Sequence, residues 1–169
     1  GTPRAGSTLL RVMLGGNQKI FSPPELYLLG YQTMKDRAES LNKRNQAFLK
    51  EGLVEAIHSL SQGDVDETHE LVAQFERDQA TIRSVYQHIH AHLDDRYLVD
   101  KTPMYGHSLE CLQQAEQELV QPVYFYLYRH PLAVMGSLVK NRFHKMLKID
   151  GDPWEIAENI WSKWNVNIT

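Results

Sequence analysis

Gly1-Thr2-Pro3-Arg4-Ala5-Gly6-Ser7-Thr8-Leu9-Leu10 opens the chain and reads as a loop that curls into a helix. Gly6 permits a tight backbone path, and Ser7 and Thr8 bring hydroxyl groups. The first N–H groups of a helix have no partner within it, so they point at whatever negative charge lies in front. Leu9, Leu10, Met13 and Leu14 recur at helical spacing and predict one apolar face to bury, with Arg11 on the outer side. A phosphate loop of this type needs a preceding strand to hold it. No strand-like segment stands before Gly1, so the chain is expected to be a fragment.

A chain of 169 residues, 42% of them hydrophobic, can bury one substantial core, which corresponds to about one domain. The formal net charge of −3 supplies no basic field for nonspecific nucleic-acid binding, so an anionic ligand must be met by a local cluster, and a small anionic cofactor fits better than DNA. Cys111 is the only cysteine. It excludes an intrachain disulfide and a thiolate metal cluster, and it points to a reducing, cytoplasmic setting. No apolar run is long enough to span a bilayer, so no membrane partner is expected.

Along the chain, Lys19 to Phe21 reads as a brief strand or loop. Ser22-Pro23-Pro24-Glu25 then reads as a helix start, with Ser22 as N-cap and Glu25 closing a capping box. Helical periodicity continues through Phe48, Leu53, Ile57 and Leu60, through Leu71, Val72 and Phe75, and through Ile82, Val85, Tyr86, Ile89 and Leu93, interrupted at Gln62-Gly63-Asp64. This predicts an all-helical insertion over about residues 33–94. Arg96 to Asp100 has strand composition and ends in Lys101-Thr102-Pro103, before a helix expected from His107 to Leu119. Val123-Tyr124-Phe125-Tyr126-Leu127-Tyr128 predicts a buried strand. Pro131 to Met146 predicts a helix, as does Trp154 to Asn167, with Trp154, Ile160, Trp161 and Trp164 partly buried. This alternation predicts an α/β fold with a parallel sheet.

In open α/β sheets ligands bind beyond the carboxyl ends of strands, where both Lys101 and Arg129 fall. Arg129 at a strand tip and Ser137 in the next helix are spaced to close on one phosphate, the guanidinium by a forked charge-assisted contact and the hydroxyl by a neutral one. The opening loop lacks the lysine of a Walker P-loop: Ser7 follows Gly6 where that lysine belongs, and the nearby cation is Arg4.

The pattern P-[RK]-x-G-[ST]-[ST]-x-L, carried here by Pro3 to Leu10, resembles the 5′-phosphosulfate loop of sulfotransferases that use 3′-phosphoadenosine-5′-phosphosulfate (PAPS). Arg129-His130-Pro131 followed by Ser137 is similar to the family's R-[DNH]-P-x5-S segment, which binds the 3′-phosphate. Ser22-Pro23-Pro24-Glu25-Leu26 and Val99-Asp100-Lys101-Thr102-Pro103 also look like pieces of bacterial-type members. The variant most resembled is the sulfotransferase domain of cyanobacterial modular polyketide and olefin synthases, the curacin type, which sulfonates the β-hydroxyl of an acyl chain on an acyl carrier protein.

The resemblance implies a P-loop-like three-layer fold and an enzyme that moves a sulfuryl group from PAPS to a hydroxylated acceptor without a metal. By position, Arg4, Ala5, Gly6, Ser7 and Thr8 fall at the 5′-phosphosulfate end, and Arg129 with Ser137 at the 3′-phosphate. Ala5 departs from the family, which usually has serine there. The family's C-terminal part is missing after Thr169, so the fragment is expected to be incomplete at both ends of a single sulfotransferase domain, and the fragment itself is open to being inactive.

Glu25 is the candidate base for the acceptor hydroxyl, or else only the closing residue of a capping box. Lys101 and Arg4 are candidates to neutralise charge on the transferred group; the alternative for Lys101 is a solvated loop lysine. His130, beside the phosphate segment, reads as a base or as polar packing. His88 and His92 lie one helical turn apart without a third ligand and read as a solvated face. Two other functions compete: a nucleotide kinase or NTPase, and a non-catalytic helical interaction module.

Overall fold

Two short strands, β1 (Ile20–Phe21) and β2 (Tyr97–Leu98), lie side by side and parallel, with Ile20 opposite Tyr97 and Phe21 opposite Leu98. The Tyr97 N–H donates to the Lys19 carbonyl at 2.8 Å and the Val99 N–H to the Phe21 carbonyl at 2.9 Å. These bonds extend the ladder at both ends. The computed structural model describes residues 1–44, 46–61 and 63–169.

Parallel neighbours need a crossover, and here it is helical. The crossover comprises α2 (Met34–Lys43), a 3-10 turn (Ala47–Lys50), α3 (Glu51–Ser61), α4 (Val65–Arg77) and α5 (Ile82–Ala91). The α/β class with a parallel sheet therefore stands, in a helix-rich form. Within the expected break at Gln62-Gly63-Asp64, Gln62 lies outside the described residues, and Asp64 caps α4 by accepting from the Asp66 N–H at 2.7 Å. Leu53, Val54, Ala56 and Ile57 of α3, Val72 of α4, and Ile82, Val85, Tyr86 and Ile89 of α5 form the main core. Met34 of α2 joins them, as do Leu26, Leu28 and Leu29 from the segment that follows β1.

That segment is not the helix expected from Ser22. Residues 22–33 carry no helix, and α2 begins only at Met34. Ser22 and Pro23 each precede a proline, which disfavours the α region for both, and the chain stays extended. The capping box is instead Thr33 with Asp36: the Asp36 N–H donates to Thr33 Oγ1 at 3.2 Å, and the Thr33 N–H to Asp36 Oδ2 at 3.1 Å. The capping account of Glu25 therefore falls.

The opening helix, α1 (Ser7–Gly15), buries no residue, and Leu9 and Met13 are about two-thirds exposed (66% and 67%). Its predicted buried face is thus open on that side and half-buried at Leu10 and Leu14, while Arg11, expected outside, is half-buried and donates to the Ser22 carbonyl at 2.8 Å. Residues 123–128 run without strand pairing, and Val123 and Phe125 are 81% and 66% exposed. High β-propensity makes a strand only where a neighbour completes the ladder, and none does so among the described residues. The backbone of Gly1 does approach this segment, so closely that a Cβ on Gly1 would run into the Leu127 carbonyl oxygen.

After β2, a 3-10 turn (Pro103–His107) leads to α6 (Leu109–Glu118). The predicted helix from Pro131 is split into α7 (Pro131–Lys140) and α8 (Phe143–Met146), because Arg142 between them is left-handed with φ 50°. The last helix is α9 (Pro153–Ile168), capped by Asp152, which accepts from the Trp154 and Glu155 N–H groups at 2.8 and 3.0 Å. Helices α7 and α9 pack through Val134, Leu138, Ile156, Ile160 and Trp164 into a second core. Trp161 packs against its edge, and Trp154 is 48% exposed. No helix among the described residues is long and apolar enough to cross a membrane.

Candidate functional site

The opening loop turns on Arg4 and Gly6, both left-handed with φ 68° and 107°. Gly6 is the N-cap of α1 and no side chain caps that end. The leading N–H groups of the helix are therefore left facing outward, as in an anion-binding nest. A Cβ on Gly6 would meet nothing within 4 Å, so the space before the loop is open. Ser7 and Thr8, at the helix start, are half-buried and exposed. Ala5 turns inward: it is buried, and its N–H donates to the Thr2 carbonyl at 3.2 Å.

Two distant segments close on this loop. The Arg4 Nε donates to Ser137 Oγ of α7 at 3.0 Å, and one terminal nitrogen of Arg129 donates to the Arg4 carbonyl at 3.2 Å. Arg4, Arg129 and Ser137 thus form one exposed cluster of two guanidinium groups and a hydroxyl, with no carboxylate in these contacts. A guanidinium has five donors, and each arginine here has donors left over for an anion. His130 is the N-cap of α7 and caps it with no side-chain hydrogen bond.

The second part of the site follows from the parallel pairing, which sends both strands out on the same edge. Glu25 stands beyond β1 and Lys101 beyond β2, and the Lys101 ammonium donates to Glu25 Oε1. Lys101 is therefore not the solvated loop lysine that its alternative reading allowed. The Lys101 side chain is only 11% exposed and that of Glu25 35%. Burial, the largest influence, pushes the Glu25 carboxyl up; the Lys101 hydrogen bond, aided by the Glu25 N–H and the charges of Lys101 and Arg11, outweighs it and holds the group below its ordinary 4.5.

Sequence reasoning passed over what holds this pair. Asp100 is half-buried among hydroxyls: Tyr86 donates to its Oδ2 at 2.6 Å, Tyr105 to the same oxygen at 3.0 Å, and Thr102 to Oδ1 at 2.9 Å. The guanidinium of Arg37, fully buried, donates to the carbonyls of Tyr27 and Leu26 at 2.9 and 3.1 Å. The available signal was a charged residue at an apolar helix position, Arg37, and an acid at a strand end, Asp100. Each reads as an ordinary solvated side chain until the fold turns its partners, 2 to 14 residues away in the chain, onto it. His88 of α5 and His92, the C-cap of that helix, are neighbours, with His92 Nδ1 2.8 Å from the His88 carbonyl. Two surface hollows, one lined by residues of 144–151 and the other by His107 with residues of 162–167, include none of the predicted site residues.

The model of the sulfotransferase family matches residues 1–168. The chain belongs to the sulfotransferase family. Two solved members of the family share its fold. The sulfotransferase domain from the curacin biosynthetic pathway superposes with a TM-score of 0.93 at 38% identity, covering 99% of this chain and 59% of that one. The sulfotransferase domain from the Synechococcus PCC 7002 olefin synthase gives 0.90 at 36% identity, covering 99% of this chain and 57% of that one. The chain thus spans less than two thirds of the length of either structure. No curated protein sequence matches it significantly. Family membership places the chain in a family of transferases, in keeping with an opening loop that has no lysine after Gly6.

Proposed function

We propose that the chain binds PAPS and transfers its sulfuryl group to a hydroxyl, in the context of a cytoplasmic modular synthase whose acceptor is the β-hydroxyl of an acyl chain on an acyl carrier protein. The observation that carries the donor assignment is the contact of Arg4 with Ser137, with Arg129 on the Arg4 carbonyl. It joins the loop suited to a 5′-phosphosulfate and the segment suited to a 3′-phosphate into one anion-binding face. The open space before Gly6 and the unpaired helix N-terminus fit the donor's charge. The acceptor rests on the likeness to domains from the curacin pathway and an olefin synthase.

PAPS supplies the activated sulfuryl group and leaves as adenosine 3′,5′-bisphosphate. In this reading Arg129 and Ser137 grip the 3′-phosphate, while the N–H groups after Gly6, the Ser7 and Thr8 hydroxyls and Arg4 hold the 5′ end. Glu25, ionised at neutral pH, accepts the proton of the acceptor hydroxyl. Lys101 turns from Glu25 toward the negative charge at the reacting end. Losing that partner leaves burial as the main influence on Glu25, and this raises its basicity when a proton must be taken.

Titration calorimetry with adenosine 3′,5′-bisphosphate, AMP and ATP with Mg²⁺ tests this. The bisphosphate is expected to bind at least tenfold more tightly than AMP, since a charge-assisted hydrogen bond contributes about 1.5–3 kcal/mol. Equal binding of the bisphosphate and AMP, or preference for ATP with Mg²⁺, overturns the reading.

A further inference from the structure

The segment that carries Glu25 has no secondary structure of its own, yet its backbone is held by side chains from the loop that carries Lys101. The Leu28 and Leu29 N–H groups donate to the Tyr105 hydroxyl at 2.9 and 3.4 Å, and the Tyr27 N–H reaches Thr102 Oγ1 at 3.5 Å. Both hydroxyls in turn donate to the carboxylate of Asp100, as does Tyr86 from α5. One carboxylate thereby orients three hydroxyls, two of which accept from the segment on the far side. A hydroxyl that donates to an anion is a better acceptor for a third group, so each link strengthens the next. Gly52 of α3 closes the segment from another side, because a Cβ there would run into the Glu25 carbonyl oxygen.

We propose that Asp100 is the positioning residue of this site: through Tyr105 and Thr102 it ties the Glu25 segment to the Lys101 loop and sets the distance at which the two side chains meet. The consequence for turnover rests on the function proposed above; the tie itself does not. Asp100 touches neither Glu25 nor Lys101 through its carboxylate, and its action is to fix where their backbones lie. Burial raises the Asp100 carboxyl above its ordinary value, against the lowering effect of the Tyr86, Thr102 and Tyr105 donors. Three hydroxyl donors on two oxygens suit the ionised form.

The charged and titratable groups facing Glu25 are Lys101, Arg11, Asp100 and Tyr27. This makes the sign of one measurement diagnostic. Removing the negative charge of Asp100 would by itself make Glu25 easier to ionise and lower its titration. Losing the Lys101 contact, with burial still in place, would raise it. In the whole chain, ¹³C NMR titration of the Glu25 carboxyl is expected to move upward in Asp100→Asn, and likewise in the charge-neutral Tyr105→Phe. The Leu28 and Leu29 amides should also exchange at least tenfold faster in Tyr105→Phe, while affinity for adenosine 3′,5′-bisphosphate stays within about twofold. Turnover should fall through kcat with KM for the donor unchanged.

A Glu25 titration that is unchanged or lower in a folded Asp100→Asn overturns the positioning role, whatever happens to activity. Should Asp100→Asn not fold, the Glu25 titration in Tyr105→Phe decides the role by the same criterion. Failure of the unsubstituted chain to bind the bisphosphate counts against the proposed function, and the Glu25 titration still decides the role of Asp100.

Discussion

Arg4 in the opening loop and Ser137 in α7 are hydrogen-bonded at 3.0 Å across 133 residues of chain. The bond places a hydroxyl from one predicted phosphate site against the guanidinium of the other. Ser137→Ala is expected to weaken adenosine 3′,5′-bisphosphate binding by about 0.5–1.5 kcal/mol, and Arg129→Ala by about 1.5–3 kcal/mol, the neutral and charge-assisted ranges. Calorimetry with AMP as the control checks this, because neither substitution should alter AMP affinity appreciably.

Gly6 sits at φ 107° with open space before it. Gly6→Ala meets no steric neighbour, so its cost is conformational alone, on the order of 1–2 kcal/mol for a left-handed alanine. Urea unfolding should show that loss. Bisphosphate affinity should fall as well, because relaxing the strain turns the helix N–H groups away from the anion.

Glu25→Gln keeps the shape of the side chain and removes the base. Turnover with a hydroxylated acceptor should fall by about 10²–10⁴-fold, with donor affinity retained. A rate within a few-fold of the unsubstituted chain would assign Glu25 a structural role as partner of Lys101.

The same pair predicts a pH dependence. Glu25 is held below 4.5 in the folded chain, so the stabilisation from its pairing with Lys101 is complete above that value. It is lost as pH falls through the lowered folded value. Lys101→Met removes the hydrogen bond and the charge while burial stays in place, which should raise the Glu25 titration by NMR. The acid limb of the stability profile should then shift upward in pH relative to the unsubstituted chain.

Arg37 is fully buried and donates to the carbonyls of Leu26, Tyr27 and Leu49. Arg37→Ala leaves these carbonyls unpaired, at about 1–3 kcal/mol each before any water enters. A loss of roughly 3 kcal/mol in chemical unfolding is expected. Asp152→Ala, which removes only the cap of α9, should cost about 0.5–2 kcal/mol.

The amino-acid sequence by itself determined the helices whose apolar periodicity is complete within one element, α3 through α5 and α9, because local spacing already encodes the face they bury. It also determined the loop before α1, since a glycine followed by two hydroxyl residues carries its chemistry locally. Segments whose state depends on a distant partner were beyond it. Val123 to Tyr128 has strand composition and no ladder, Leu9 and Met13 have helical spacing and no cover, and Ser22 with Glu25 matches a capping pattern that two prolines forbid. Only the tertiary structure decided that Glu25 meets Lys101 and that Arg4 meets Ser137. The first contact requires two strands separated by the whole helical crossover to run parallel and end on one edge, and the second requires α7 to return to the opening loop. Asp100 escaped for a different reason: its partners Thr102, Tyr105 and Tyr86 lie 2, 5 and 14 residues away, but only the turn after β2 folding against α5 converges their hydroxyls on one carboxylate.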